Sequence, residues 1–416
     1  MFRAPATLFD NRTKSAETIM ALRTTASMIL LASLGAAGCD DDATSPAPAD
    51  LAMPVAAGDL AAPAADLSMA IGPAADLSVA ADDLAVPPGP PPLVVDDNFA
   101  ASGFEGGGDV AGTITDDQTC PMRAGGGHGH CHHIEWAPGT NSWGGVVWQY
   151  PANNWGGAPG FAVPQGYAQV RFRAWGKTGG EKVSFVAGLG AGGVDQFQSR
   201  LDVALGAQPT EYVLGVRGAY ADKVVSGFGW VTSAGAAETF YVDDILWTGD
   251  DDGALAPLAV EPTFAPTGFI GDGASGFVHS SACAAGTPSC RHFEWDPNGD
   301  GGGASQGWAG VFWQSAPGDW AGANDPDGAA IAGGFREIRF VAQSTHAAGQ
   351  VVSFLAGMGA GTHDGWQSKL DVQLSATKKT YALGVGGAYG AHVVGGFGWV
   401  AGGSGLGVDL DGASWR

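Results

Sequence analysis

The chain repeats itself, and this duplication limits the folds that it can adopt. Segments 95–250 and 261–416 match along their length, and residues 251–260 join them as a linker. The matching motifs are 131–136 with 290–295, 143–149 with 308–314, 183–188 with 352–357, and 226–231 with 395–400. Repeats of this length exceed those of solenoids, so we interpret the pattern as a tandem duplication of one domain.

Apolar and polar residues alternate along short runs in both copies. Residues 197–205 place Phe, Ser, Leu, Val and Leu at every second position, and 366–374 repeats a similar order. This period is typical of a strand with one face on a core. Gly-rich turns separate the runs, and no helical stripe lies between them. The sequence therefore predicts an all-β protein of two tandem antiparallel β-sandwiches rather than a parallel α/β fold.

The first 39 residues are interpreted as a bacterial export signal. One positive residue, Arg23, precedes a short apolar run, and 36–39 reads Ala-Ala-Gly-Cys, which resembles a lipobox. This resemblance implies lipidation of Cys39 and a location in the cell envelope, at the outer membrane or cell surface. A plain signal peptide cut nearby is the alternative. Residues 1–19 do not resemble a signal, so Met20 is an alternative start.

Residues 40–94 form a second compositional class. They contain Ala, Pro, Asp and Leu but no Lys, Arg or aromatic residue. So few bulky apolar groups cannot offset the conformational entropy that is lost when a chain becomes ordered. We therefore expect a disordered tether, and a partner-binding motif is the alternative.

The charge of the chain excludes one class of partner. The sequence has 19 Lys and Arg against 42 Asp and Glu, a formal net charge of -23. A phosphate backbone needs a basic surface, so we expect no nucleic-acid binding. A lipid anchor would be the only contact with a membrane.

The first and last strands of the first copy carry a family resemblance. The start at 96–99, Asp-Asp-Asn-Phe, and the end at 240–247 resemble the jelly-roll carbohydrate-binding modules of secreted glycan-active proteins, which belong to the galactose-binding-like sandwiches. The resemblance implies two jelly rolls, a polysaccharide partner and a structural Ca²⁺. Its calcium ligands would be Asp96 and Asp243 in the first copy, and Glu261 and Asp411 in the second. Solvated acids are the alternative.

Cysteines and histidines cluster at matching places. Cys120 with Cys131, and Cys283 with Cys290, bracket loops of different length, so we predict two disulfides. His128, His130, His132 and His133 surround Cys131 and could bind Zn or Cu, but the second copy keeps only His292. A polar loop is therefore the alternative to a metal site.

Tryptophans and long polar residues provide the binding candidates. Trp136, Trp148 and Trp230 lie in alternating runs and are predicted to be core. The tryptophans in Gly-rich loop sequence are better candidates for stacking on a sugar ring, namely Trp143, Trp155, Trp308 and Trp320. Long polar side chains recur at four positions of the predicted outward face: Gln149, Arg171, Gln198 and Arg200, matched by Gln314, Arg339, Gln367 and Lys369. Inherited surface residues are the alternative.

Three functions compete. Duplication favours avidity, so the leading hypothesis is non-catalytic binding of a neutral or basic polysaccharide by a surface lipoprotein. The second is a secreted sandwich-type glycoside hydrolase or polysaccharide lyase that uses the matched residues Glu135 and Glu294. The third is a structural or adhesive envelope protein. The sequence identifies neither the glycan nor the oligomeric state.

Overall fold

A computed structural model describes most of the duplicated part of the chain. The described residues are 89–105, 114–123, 127–139, 143–233, 236–249, 255–284, 287–299, 305–320, 328–346, 348–359 and 362–416. Cys39, Met20, the predicted export signal and nearly all of the predicted tether lie outside them. Among the described residues, no helix is long and apolar enough to cross a membrane.

Strands dominate both copies, and each copy adds one short helical turn. The first copy contains β1 (Leu93–Val94), α1 (Val95–Asn98), β2 (Ala100–Glu105), β3 (Ile114–Asp116), β4 (His132–Trp136), β5 (Gly144–Gln149), β6 (Phe161–Ala162), β7 (Gln169–Gly176), β8 (Lys182–Gly190), β9 (Phe197–Ala204), β10 (Thr210–Gly215), β11 (Lys223–Val224), β12 (Ser226–Thr232) and β13 (Glu238–Thr248).

The second copy follows the same order of elements. It contains β14 (Leu258–Ala259), α2 (Val260–Thr263), β15 (Ala265–Gly271), β16 (Val278–Ala282), β17 (Arg291–Trp295), β18 (Trp308–Gln314), β19 (Ala329–Ala330), β20 (Glu337–Ser344), β21 (Val351–Ala356), β22 (Gln367–Gln373), β23 (Lys379–Gly384), β24 (His392–Val393), β25 (Gly395–Gly402) and β26 (Leu406–Trp415). The prediction of an all-β antiparallel protein is confirmed.

Each copy has its own outer sheet. The strand order is β10-β7-β13-β4-β3 in the first copy, with β1 also on β13, and β23-β20-β26-β17-β16 in the second, with β14 on β26. Alternate residues of these strands pack against the other layer in one apolar core. The three tryptophans predicted to be core, Trp136, Trp148 and Trp230, are buried there, which confirms that prediction.

The second layer is a single sheet that both copies share. Its ten strands run in the order β15-β18-β25-β21-β22-β9-β8-β12-β5-β2, so the copies meet where β22 pairs with β9. The pairing is antiparallel and places Lys369 opposite Arg200, which are equivalent residues of the two copies. The copies are therefore related by a pseudo-twofold axis through this pair. An exposed strand edge tends to pair with another strand, and here each copy covers the edge of the other.

The outer sheets also approach each other at their edges. A Cβ atom on Gly215 of β10 would overlap the backbone oxygen of Ala382, and one on Gly384 of β23 would overlap that of Val213. Glycine at both positions permits this close approach of two backbones. A hydrogen bond also crosses the boundary between the copies: the Gln169 amide nitrogen donates to the buried carboxylate of Glu337 at 3.1 Å.

Both predicted disulfides are present. Cys120 bonds to Cys131 and Cys283 bonds to Cys290, with Cα–Cα distances of 6.1 and 5.5 Å. Cys131 also packs beneath Trp175 and Tyr241 on the outer sheet. The disulfides therefore fasten loops of the outer layer, on the side of the sandwich opposite the shared sheet.

Candidate functional site

The side of the shared sheet that faces away from the apolar core, called the shared face below, carries one row of residues across all ten strands. Directly paired residues point to the same side of a sheet, so the register defines the row. From β2 to β15 it runs Gly103, Val147, Gly229, Val186, Arg200, Lys369, Leu355, Gly398, Phe312 and Gly268. Its two cations lie at the centre and are partly exposed. The apolar residues on either side of them are buried, and Val147, Val186, Leu355 and Phe312 are only 2–6% exposed.

Matching polar side chains surround these cations in both copies. The Arg200 Nε donates to Asp202 at 2.7 Å, and its guanidinium also donates to the Ser184 hydroxyl at 2.9 Å. In the second copy, the Lys369 Nζ lies 3.0 Å from Asp371, whose carboxylate accepts from a serine hydroxyl of β21. We call the full set the junction cluster: Ser184, Gln198, Arg200, Asp202, Ser353, Gln367, Lys369 and Asp371.

The two glutamines of the junction cluster complete its symmetry. Gln198 donates to the backbone oxygen of Gly188, and Gln367 donates to that of Gly357, at 3.4 Å in both cases. Across the β9–β22 pairing, Gln198 lies opposite Asp371 and Gln367 lies opposite Asp202. The cluster thus offers amide, hydroxyl, carboxylate and cationic groups, all partly exposed, with two positive and two negative charges.

Glu105 on β2 adds a carboxyl to the shared face in the first copy. Its partner across the strand pair is Gly145, which lies two residues before Val147 of the central row, so Glu105 points to the same side of the sheet. Burial raises the pKa of the Glu105 carboxyl, and the positive charge of Arg200 opposes that rise.

Two matching loops present exposed indoles beside the shared face. Trp155 follows β5 and is 41% exposed, and Trp320 follows β18 and is 42% exposed. The Trp320 ring packs edge-on against Phe312, a member of the central row, with 6.4 Å between ring centroids. Residues 156–160 beside Trp155 border a shallow depression together with Val194 of the β8–β9 loop. Both indoles are therefore accessible, which stacking on a sugar ring requires.

Buried glutamines anchor these loops. The Gln314 amide donates to the backbone oxygen of Asp319, next to Trp320, and its oxygen accepts from the Thr267 hydroxyl at 3.2 Å. Gln149 lies at the matching place in the first copy, 3.4 Å from the Ser102 hydroxyl. Both glutamines are fully buried, so their prediction as outward binding residues is wrong. They follow the alternation of their strands, but the tryptophan loops fold over them.

An aspartate holds the neighbouring loop in each copy. The Asp195 carboxylate accepts hydrogen bonds from the backbone N–H groups of Leu189, Val225 and Ser226 at 3.0, 2.7 and 3.1 Å. Desolvation raises its pKa, against the effect of these donors. Asp364 accepts three backbone N–H bonds at the matching place. The β8–β9 and β21–β22 loops are therefore fixed to the shared sheet beside the exposed indoles.

The other two candidate tryptophans are half-buried. Trp308 begins β18 and, by strand alternation, points to the same side as Phe312. Trp143 directly precedes β5 at the matching place in the first copy. Both can border the shared face, but they offer less free ring surface than Trp155 and Trp320.

Arg171 and Arg339 do not belong to this face. They lie on β7 and β20, which are strands of the outer sheets. Arg171 pairs with Glu211 at 2.7 Å, and Arg339 pairs with Glu337 at 2.6 Å. The prediction that they share a face with Gln198 and Gln367 is wrong, because alternation shows that a side chain points outward but not which layer it leaves.

The acids expected to bind calcium have other partners. Asp96 lies between His132, at 3.2 Å, and the Trp148 indole N–H, at 2.9 Å. Glu261 makes a two-bonded pair with Arg291 and accepts from the Trp313 indole. A protein cation therefore neutralises each of these acids.

The remaining expected calcium ligands are also engaged elsewhere. Asp243 lies 3.2 Å from Arg123, and Asp411 accepts from the hydroxyls of Thr287 and Ser289. Calcium binding needs several convergent oxygens without a competing cation, so this donor set does not fit Ca²⁺.

His132 is the most strongly perturbed of the clustered histidines. Burial lowers its pKa, but hydrogen bonds and the charges of Asp116 and Asp96 outweigh burial and raise the pKa to about 9. His133 instead binds Asp117 and stacks on Tyr241. Because these imidazoles face different carboxylates, they do not converge, and no group of three or more metal-ligating side chains occurs among the described residues.

His128 and His130 lie in the loop closed by the first disulfide. Their backbone N–H groups donate to the carboxylates of Asp244 and Asp96 at 2.5 and 2.7 Å. The His130 ring is largely exposed. These contacts fit the alternative interpretation of the cluster as a polar loop.

Glu135 and Glu294 lie on the outer sheets, in β4 and β17. Glu135 is 3.8 Å from His133, and Glu294 is 2.7 Å from His346 and 3.4 Å from His292. These candidate catalytic residues therefore lie on the opposite side of the sandwich from Trp155 and Trp320.

Four members of the junction cluster were not predicted as site residues. Ser184 and Ser353 match between the copies, as do Asp202 and Asp371. Recurrence of these short polar residues within alternating runs was the available signal. Their role depends on the pairing of β9 with β22, which the sequence does not reveal.

Comparisons with known proteins find similar folds only. No family model and no curated protein matches the chain. The solved structures include the family 11 carbohydrate-binding module of the cellulosomal cellulase Lic26A-Cel5E of Clostridium thermocellum, with 14% identity, 38% of this chain and 95% of that chain covered, and a TM-score of 0.26. A family 30 carbohydrate-binding module is 15% identical, with 40% and 91% covered and a TM-score of 0.26.

A second family 30 module comes from the cellulosomal cellulase Cel9D-Cel44B of Clostridium thermocellum. It is 16% identical, with 39% of this chain and 94% of that chain covered and a TM-score of 0.24. Similarity at these values carries no argument about ligands. The candidate site therefore depends on the geometry of the shared face.

Proposed function

We propose that the protein binds a neutral polysaccharide without catalysis, through the shared face. The observation that carries this proposal is the duplicated pairing of an exposed indole with a polar cluster on one sheet. Trp155 and Trp320 offer flat apolar rings for the C–H surface of a sugar. The junction cluster offers planar amides and charged groups for hydroxyls.

The charges favour a neutral ligand. Arg200 and Lys369 are each paired with an aspartate two residues along the same strand, so the cluster has no excess charge to offer an ion. The chain as a whole has a net charge of -23, which repels polyanions.

The placement of the carboxylates favours binding over hydrolysis. A glycosidase needs one protonated and one ionised carboxyl on either side of the scissile bond. On the shared face, Asp202 and Asp371 are each held by a cation, and Asp371 also accepts from the Ser353 hydroxyl. Glu135 and Glu294 are on the far side of the sandwich.

A polysaccharide pull-down tests this function. Purified protein is mixed with insoluble cellulose, mannan, xylan and starch, and the bound fraction is measured against protein concentration. We expect retention by at least one polymer and a loss of affinity of about 30-fold for each of Trp155→Ala and Trp320→Ala, the effect of truncating a central contact residue.

Met122→Ala is the matched control. Met122 is 40% exposed, an exposed fraction similar to that of the two tryptophans. It lies in the disulfide loop of the outer layer, away from the shared face. Its loss should leave retention unchanged. Absence of retention by every polymer, or equal retention of the double tryptophan variant and the wild type, refutes the proposed function.

The membrane anchor is part of the same proposal. A lipid on Cys39 would hold the shared face at the cell envelope, where it could retain polymer. Growth with labelled palmitate should label the wild type and not Cys39→Ser, as seen after gel electrophoresis. A wild type without label contradicts the anchor and leaves the binding proposal intact.

A further inference from the structure

The pairing of β9 with β22 places the two candidate half-sites on one uninterrupted surface. We infer that a single linear polysaccharide chain lies across this junction from Trp155 to Trp320, so that the molecule has one extended site rather than two independent ones. This inference rests on the proposed function and specifies its ligand as an extended, unbranched polymer.

The dimensions of the sheet support one long site. Trp155 follows β5 and Trp320 follows β18, and these strands are seven steps apart in the shared sheet. At about 4.8 Å per step, the two strands are roughly 34 Å apart across the sheet. Because β5 and β18 run in opposite directions, the two loops leave at opposite ends of the strands, and the path from Trp155 to Trp320 crosses the sheet diagonally. Backbone hydrogen bonds between β9 and β22 close the boundary over six residue pairs, so no cleft separates the halves.

Glycines keep the floor of this path low. A Cβ atom on Gly229 would lie 2.6 Å from the Val147 Cγ1, and one on Gly398 would lie 2.8 Å from the Phe312 Cδ1. Neighbouring apolar side chains therefore lean over the glycines and fill the space that a larger residue would occupy. Val147 and Phe312 are themselves only 2% and 6% exposed, so a ligand on this path would contact the indoles and the partly exposed junction cluster rather than the apolar floor.

The polar groups at the middle of the path come from both copies. Gln198 faces Asp371, and Gln367 faces Asp202, across the pseudo-twofold axis. A single copy supplies only half of this set. A chain that passes from one indole to the other meets the complete cluster at its midpoint, whereas a short sugar on one indole does not.

The pseudo-twofold axis has a consequence for the ligand. A polysaccharide has a reducing and a non-reducing end, but the shared face presents chemically similar groups from both directions, with Arg200 of one copy matched by Lys369 of the other. The chain should therefore bind in either direction, since each indole and each half of the junction cluster is matched by its counterpart.

Calorimetric titration tests the inference on the full protein. The probe is a ladder of oligosaccharides prepared by partial hydrolysis of the polymer that the pull-down retains best. We expect one oligosaccharide per protein once the chain spans both tryptophans, and an affinity that rises until that length. Trp155→Ala should then weaken binding about 30-fold with the stoichiometry unchanged.

Independent sites give a different result. Two oligosaccharides would bind per protein at every length, and Trp155→Ala would halve the stoichiometry without changing the affinity. That outcome overturns the inference while the proposed function stands, and so does a ladder that shows no binding although the polymer is retained. Absence of retention by every polymer in the pull-down overturns both.

A junction variant adds a second readout. Lys369→Ala should weaken the longest oligosaccharides about tenfold and leave the shortest unaffected, since a loss of about 1.4 kcal/mol corresponds to that factor. Lys177→Ala, an exposed lysine at the end of β7 in the outer sheet, is the control. Equal melting temperatures establish that both variants fold, and an unchanged affinity of Lys369→Ala for long chains contradicts the inference.

Discussion

Raising the pH from about 6.5 to about 9 should destabilise the first repeat by neutralising His132. This imidazole is buried between Asp96 and Asp116, with nitrogen–oxygen distances of 3.2 and 2.5 Å. Loss of its proton leaves the Asp96 carboxylate, itself almost fully buried, without a compensating cation. Breaking a buried ion pair from one side is strongly destabilising.

The magnitude follows from the two pKa values. In the unfolded chain His132 titrates near 6.5, and in the folded protein its pKa is about 9. A raised folded pKa stabilises the native state fully below 6.5, and this contribution disappears as the pH rises through 9. The difference corresponds to about 3 kcal/mol at about 1.4 kcal/mol per pH unit.

The second repeat supplies the control for this prediction. Its matching pair, Glu261 with Arg291, does not titrate in this pH range. Unfolding free energies from urea titrations at several pH values should fall between pH 6.5 and 9 in the wild type. The Asp96→Glu, His132→Arg double variant should lack most of this fall.

A second variant covers the case in which the transplanted pair does not fit. His132→Gln removes the cation at every pH, so it should be less stable than the wild type near pH 6.5 and should approach it near pH 9. A wild-type curve that stays flat over this range, or a double variant with an equal slope, refutes the assigned role of His132.

Three further predictions concern the loops and the acids. Asp195→Ala should lower the unfolding free energy by about 3 kcal/mol, because it leaves three backbone N–H groups without their acceptor. The control Asp222→Ala, at an exposed position, should not lower it, and equal urea midpoints of the two variants contradict this prediction. Replacing Cys120 and Cys131 by serine should lower the unfolding free energy, measured by urea unfolding, by about 3 kcal/mol, as expected for a sequence separation of 11. An unchanged free energy would mean that the loop is constrained without the disulfide. Adding Ca²⁺ should leave the melting temperature unchanged, because His132 already neutralises Asp96; a clear rise would restore the calcium site that the resemblance implies.

Alternation in the sequence predicted the orientation of individual strands. Gln198 and Arg200 on β9, with Gln367 and Lys369 on β22, alternate with buried residues as expected. The same rule could not assign Arg171 to a layer, because a side chain that points away from the core can leave either sheet. It also could not show that Gln149 would be covered by the loop that follows its strand.

The merger of the two copies was not predictable from periodicity. Strand pairing is set by edges that meet in three dimensions, and the paired residues Asp202 of β9 and Gln367 of β22 are 165 positions apart in the sequence. Only the matching chemistry of the two strands hinted at a symmetric contact. The disulfides were easier to predict, because each joins cysteines close in sequence within the matched segments.

A crystal structure of the protein with a long oligosaccharide of the retained polymer tests the central claim most directly. Sugar rings should lie over Trp155 and Trp320, with hydroxyls bonded to Gln198, Arg200 and Lys369 between them. Sugar bound to the outer sheets instead, near Arg171 or Glu135, would contradict the assignment of the shared face.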